Sequence, residues 1–370
     1  MMIRNQKSIL TMKKIVILLV FIGCFELLTA QVTALLHYLP TYSEAQEKSY
    51  IGYDIFVFDH EVINNSPKTL RLTRQDNPDA IFLAYANPIE WHDPMFNDKP
   101  WSLKMVAELE KYPKWFLKGT DGKKLEFWQG TVLMNCRLDC PRYDINGKSY
   151  SYIEYFTERY VKDIIGAYKR AGIRLDGVLD DELLKSISFI GNYGNNRNGV
   201  DSDEDGISDD PTELDRQWRL GSAYFLQVLR ETMGEDFMII GNGGHGYYMQ
   251  WCDGKQMEYF PEVYLNENDH LTEAWAENMN NAAGMKIAFF NARANAYGKT
   301  DNWQYSLCST VLLDNVVFSH GQNTPYDKKY ELHLGKALGV NFYDNGVQKR
   351  RFQNGTVCVD PVTKKGWIEK

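Results

Sequence analysis

The pattern of the chain predicts an α/β fold that closes into a (β/α)8 barrel, and three observations carry that expectation. Eight short apolar runs recur, several apolar at nearly every position, as strands covered on both faces are. Helical periodicities fill most of the intervals between them. No internal repeat or low-complexity linker divides the 370 residues, a length that suits one large barrel.

The expected strands are residues 34–39, 53–59, 80–86, 175–179, 237–242, 256–258, 286–291 and 316–320, with helices over 43–49, 101–111, 152–171, 216–233, 272–283 and 303–313. The rhythm breaks after the third strand. Residues 93–150 form a long insertion that includes a hairpin over 115–128 turning at Asp121-Gly122, and insertions of this length are usually functional. A second insertion covers 191–215, and residues 341–367 read as a small β annex. The expected organisation is therefore a leader over 1–30, a TIM-type barrel over 31–340 with a long insertion after its third strand, and an annex over 341–370 packed on it.

The leader reading rests on Arg4, Lys7, Lys13 and Lys14 ahead of an apolar run from Ile15 to about Ala30. That is the composition of an export signal, and the run is short for a membrane span. Cleavage after Ala30 is one expectation. The other is lipidation at Cys24, with membrane contact only through that anchor; Phe21 fits the first position of such a motif poorly. Either way the protein is expected to be exported, and a monomer. The formal net charge of −8, with no Lys/Arg cluster, argues against nucleic acid as a partner. Six cysteines include Cys24, leaving an odd number. Cys136 and Cys140 are close enough in sequence for a local disulfide, and no second Cys/His pair supports zinc.

In a barrel the residues just past each strand share one face, where chemistry resides. Reading them off gives His37, Asp59, Asn87, Glu90, Trp91, Asp180, Asp181, Asn242, Glu258, Arg293 and His320. Acids, amides and aromatics without a metal triad suit glycoside hydrolysis by a carboxylate pair, with no catalytic cofactor. Trp91, Trp115 and Trp128 are candidate sugar platforms. No Gly-x-Ser-x-Gly elbow follows any strand, which disfavours a serine hydrolase. The run Gly241-Asn-Gly-Gly-His-Gly246 opens no helix, so a phosphate cradle is disfavoured as well.

The insertion carries Asp201-Ser-Asp-Glu-Asp-Gly206, acids at alternate positions followed by glycine, as in the first half of a calcium loop. Thr212 stands where an EF-hand needs its glutamate. The expectation is a structural Ca²⁺ held by Asp201, Asp203 and Asp205, with Asp209 or Asp210 completing the shell.

Three short motifs carry a family resemblance. Asp176-Gly-Val-Leu-Asp180, Gln256-Met-Glu258-Tyr-Phe and Arg351-Phe-Gln-Asn-Gly-Thr-Val-Cys-Val-Asp-Pro361 resemble the fourth-strand, later-strand and closing segments of hypothetical glycosyl hydrolase family 15, related to polygalactosaminidase and α-galactosidase-like barrels. The resemblance implies Asp180 as nucleophile or base and Glu258 as general acid, acting on a poly- or oligosaccharide. Three consecutive acids, Asp180, Asp181 and Glu182, exceed what the motif asks for. Two rival readings are a glycan-capture protein on a degenerate barrel and a calcium-dependent lyase using Arg293.

Overall fold

The computed structural model of the chain describes residues 31–96, 98–258, 260–261, 271–292 and 303–370. Its centre is a closed barrel of eight parallel strands. In chain order they are β1 (Val32–His37), β2 (Ile55–Phe58), β3 (Ile81–Ala86), β4 (Gly177–Leu183), β5 (Met238–Gly243), β6 (Gly254–Glu258), β7 (Ile287–Asn291) and β8 (Val316–Ser319). Strands neighbouring in sequence are neighbours in space, and β8 closes on β1. The expected (β/α)8 class and the extra C-terminal sheet are both present.

Strand alternation sorts the side chains into two layers. Leu36, Val57, Leu83, Leu179, Ile240 and Phe289 fill the lumen. Phe56, Phe58, Phe82, Val178 and Ile239 face outward and join the larger core under the helices. Gly177 marks a close strand approach: a Cβ there would lie 2.2 Å from the Met238 carbonyl oxygen. The preceding Asp176 accepts from the Phe82 backbone N–H and pairs with Arg74, both at 2.9 Å, so the Asp-Gly pair of the fourth-strand motif ties β3, β4 and β5 together.

Helix starts follow local chemistry. Ser43 and Ser151 each form a capping box for the helices Glu44–Tyr50 and Tyr152–Tyr160. The helix Pro211–Met233 begins earlier than its periodicity predicts, because Asp210 caps it by accepting from the Glu213 N–H. The annex is an antiparallel sheet of β9 (Phe342–Asp344), β10 (Val347–Phe352), β11 (Gly355–Asp360) and β12 (Lys365–Glu369). It buries Val357 and Val359 with Tyr305 and Cys308 of the helix Trp303–Thr310.

The insertion after β3 contributes a short antiparallel pair, Glu90–His92 with Thr131–Leu133, and the expected turn at Asp121-Gly122. Cys136 and Cys140 are free buried thiols, contrary to the expected disulfide. The Cys136 thiol contacts the Pro88 carbonyl oxygen, and Cys140 accepts the Tyr152 N–H. Among the described residues no helix is long and apolar enough to cross a membrane.

Candidate active site

Two residues beyond the lumen layer, the same alternation delivers polar groups to the carboxyl-terminal mouth. Leu83 is followed by Tyr85, Leu179 by Asp181, Ile240 by Asn242 and Phe289 by Asn291. On β6 the register pairs Gln256 with Asn242 and Phe289, and Glu258 with Asn291, so both β6 side chains share this face.

The centre of the mouth is an amide-bridged pair of carboxylates. Asn242 Nδ2 donates to Asp181 Oδ1 at 2.7 Å and to Glu258 Oε2 at 3.1 Å. Those two oxygens are therefore no farther apart than the two bonds placed end to end. Tyr85 donates its hydroxyl to Asp181 Oδ2 at 2.7 Å, and the Glu182 backbone N–H donates to Asp181 Oδ1 at 2.9 Å. Burial and then the Asp181 charge push the Tyr85 phenol well up, so it remains a donor at any ordinary pH. Tyr38 lies against Tyr85 with ring centroids 4.9 Å apart.

Asp180, the acid expected to do chemistry, is on the other face of the strand. It is 1% exposed, its Oδ1 has no hydrogen-bond partner, and it influences Cys136, Tyr160, Tyr248 and Cys252 in the outer layer. Burial, then the Asp181 charge, hold its carboxyl well above the usual range, which favours the neutral acid. The expected strand stopped at Leu179 and left Asp180 as the first rim residue. In the structure β4 runs on to Leu183, with an irregularity between Asp180 and Leu183 and a left-handed Glu182 at φ +51°. Parity within a continuing strand sends Asp181 into the mouth.

A second carboxyl pair sits beside the first. Asn87 Nδ2 lies 3.3 Å from Glu182 Oε2 and 3.5 Å from Glu90 Oε1, and Trp128 Nε1 donates to Glu182 Oε1 at 3.0 Å. Burial raises Glu90 to about 7, with the Asp181 charge adding to it. Burial and the Glu90 charge raise Glu182 well above its ordinary value. The two acids therefore titrate as a coupled pair, each raised by burial.

Other expected rim residues lie elsewhere. Trp91 is 4% exposed and donates to the Tyr152 hydroxyl, and Trp115 is fully buried, so neither is a sugar platform. Trp128 is 43% exposed. His320 faces outward from β8, its Nδ1 2.6 Å from the Tyr330 hydroxyl. Asp59 is buried in an ion pair with Lys99 at 2.5 Å; burial alone would raise its carboxyl, but His60 and Lys99 draw it below the ordinary range. Arg293 lies outside the described residues. Sequence reasoning missed Tyr85, Gln256 and Asn291, for which strand parity counted from the lumen residues was the available signal.

In the acidic insertion, one oxygen from each of Asp201, Asp203 and Asp205 lies within 4.8 Å of the others, and Asp201 is buried. Asp210 is committed to the helix cap at 2.9 Å. Asp209 accepts the Ser202 N–H and faces Arg137 at 3.7 Å. The expected fourth and fifth ligands are thus engaged elsewhere, while the first three converge.

A parallel barrel whose mouth gathers acids, amides and tyrosines belongs to the (β/α)8 enzyme class. Within that class the chain belongs to hypothetical glycosyl hydrolase family 15, whose model matches residues 74–356, and it is accordingly a glycoside hydrolase by family. Among curated proteins no sequence matches it. Its fold is similar to that of the glycoside hydrolase domain of PelA from Pseudomonas aeruginosa, at 11% identity and TM-score 0.47 over 80% of this chain and 96% of that one. It is also similar to a quadruple mutant of the α-N-acetylgalactosaminidase NagBb from Bifidobacterium bifidum, at 11% identity and TM-score 0.48, covering 94% of this chain and 58% of that one. The cycloalternan-degrading enzyme of Trueperella pyogenes is a third such structure, at 11% identity and TM-score 0.46 over 80% and 43% of the two chains.

Proposed function

We propose that this protein is an exported glycosidase that cleaves a poly- or oligosaccharide with retention of configuration, using Asp181 as nucleophile and Glu258 as general acid and base. The observation that carries the reading is Asn242, whose single amide nitrogen bonds both carboxylates. That bridge holds one oxygen of each acid at a spacing that supports the carboxyl separation of roughly 5 Å in retaining enzymes over the 6.5–9.5 Å of inverting ones. Three donors converge on Asp181, solvating a negative charge as a nucleophile requires. In the first step Asp181 attacks the anomeric carbon while Glu258 gives its proton to the departing glycosidic oxygen. Glu258 then takes a proton from water, whose oxygen attacks the same carbon and releases Asp181.

The experiment is a polysaccharide screen followed by proton NMR of the earliest product. Retained anomeric configuration, lost together with turnover in Asp181→Asn, is expected. An inverted first product would refute the spacing argument, and binding without any product would favour glycan capture.

We also read Asp201, Asp203 and Asp205 as a structural calcium site, supported by their convergence. It would brace the insertion and take no part in the chemistry. Export rests on the leader composition of residues 1–30.

A further inference from the structure

The two insertions bring four aromatic rings together beside the mouth. Phe127 and Trp128 come from the excursion after β3; Phe189 and Tyr193 come from the turn Ser188–Asn192 after β4 and the residue that follows it. Phe127 packs edge-on to Trp128 at 4.9 Å and stacks on Tyr193 at 5.5 Å, and Phe189 meets Tyr193 at 5.8 Å. Although they pack on one another, Trp128, Phe189 and Tyr193 stay 43%, 42% and 38% exposed. Folding normally hides such rings, and a contiguous exposed group of them marks a binding surface.

The rings are held in place before any ligand arrives. The Asp201 N–H donates to the Lys118 carbonyl oxygen, the Thr120 hydroxyl to the Asn198 carbonyl oxygen, and Asn196 Nδ2 to the Glu126 carbonyl oxygen, all at 2.8 Å. These bonds stitch one insertion to the other next to the aromatic group. The group is also continuous with the chemistry. Trp128 donates its indole N–H to Glu182, and the Glu182 backbone N–H donates to Asp181.

We propose that this aromatic ledge binds additional pyranose units of a polysaccharide chain that runs outward from the mouth, making the substrate a polymer. The proposal rests on the glycosidase reading of the Asp181–Glu258 site. Pyranose rings present flat C–H faces that stack on aromatic faces, while their edges carry hydroxyls. An apolar ledge lying next to carboxylates and amides matches both surfaces. Because the rings are already fixed, little ordering entropy opposes binding.

The test is affinity electrophoresis of the full chain carrying Asp181→Asn, which leaves the polymer in the gel intact. Native gels contain dextran, galactomannan, xylan, chitosan or polygalacturonate. Retardation by at least one of them is expected. Adding Phe189→Ala and Tyr193→Ala should weaken that retardation about fivefold or more, the effect of losing a contact of modest, below-hot-spot size. Adding Tyr343→Ala, which removes a still more exposed ring on the annex, should not change it. Unchanged retardation in the ledge variant, or none with any of the five polymers, would overturn the proposal. Circular dichroism of each variant excludes unfolding as the cause. Release of reducing ends by the unsubstituted chain judges the glycosidase reading separately, so the two failures are distinguishable.

Discussion

Asp180 and Asp181 are adjacent on one strand, and their environments are opposite. Asp181 faces the lumen and receives donors from Tyr85, Asn242 and the Glu182 backbone. Asp180 faces the outer layer among thiols and phenols, with one oxygen unpartnered and its neutral form favoured. The difference teaches that rank along a strand says little about function, whereas parity says a great deal. A carboxylate can work only where groups have been assembled to meet its charge, and the outer layer supplies none to Asp180 Oδ1.

The largest expected effect breaks this comparison most directly. Asp181→Asn and Glu258→Gln should each lower turnover on a cleaved polysaccharide by roughly 10²–10⁴-fold or more, the range for losing a positioned acid, base or nucleophile. Asp180→Asn should stay within about threefold, since it exchanges one neutral buried group for another of the same shape. Equal losses at Asp180 and Asp181 would show that the outer-layer acid takes part in the chemistry.

Much of the architecture was legible because its signals are local. Ile55–Phe58 is apolar at every position, and a fully buried strand needs that. The capping boxes at Ser43 and Ser151 require only four residues each. The Asp176-Gly177 pair resembled a motif for a reason now visible, because only glycine fits against the Met238 carbonyl. The site was less legible. Choosing Asp181 over Asp180 requires knowing that β4 continues to Leu183, which depends on its pairing with Gly243 of β5. Trp91 and His320 stood at plausible addresses after their strands, yet both turn into the protein to reach Tyr152 and Tyr330. The aromatic ledge joins two insertions, and no local pattern announces a contact between them.

A mid-sized effect concerns the raised carboxyl of Glu90, which is coupled to Glu182. The folded protein holds a proton on Glu90 up to about pH 7, whereas the unfolded chain releases it in the ordinary carboxylate range near 4.3. The unfolded state therefore binds fewer protons across that window, and stability falls as pH rises through it. Glu90→Gln removes this dependence. Its melting temperature should gain on the parent's steadily from about pH 4.5 to 7 and level off above. Asp180→Asn should show the same sign, because burial and the Asp181 charge raise its carboxyl too. Parallel curves for parent and variants across the range would mean that neither acid is held neutral.

The smallest expected effect lies in the acids of the insertion, which meet their charge differently from those of the mouth. Asp201 receives backbone N–H groups from Asp205 and Gly206, yet Asp203 and Asp205 still bring their carboxylates within 4.8 Å of it. In the mouth, neutral amides and a phenol separate the charges; in the loop a divalent cation would. With a dissociation constant of about 10⁻⁴ M, as in extracellular modules, 1 mM Ca²⁺ contributes roughly 1.4 kcal/mol. For a chain of this size that is about 2 °C in melting temperature. Excess EDTA should remove the gain, Asp201→Asn should abolish it, and Mg²⁺ should not replace it. Because Asp201 also anchors Lys118 through its backbone, calcium should tighten polysaccharide retardation at the ledge slightly while leaving the mouth's chemistry unchanged. A melting temperature indifferent to Ca²⁺ would make the loop a purely solvated turn and leave the stitching between the insertions to carry the ledge alone.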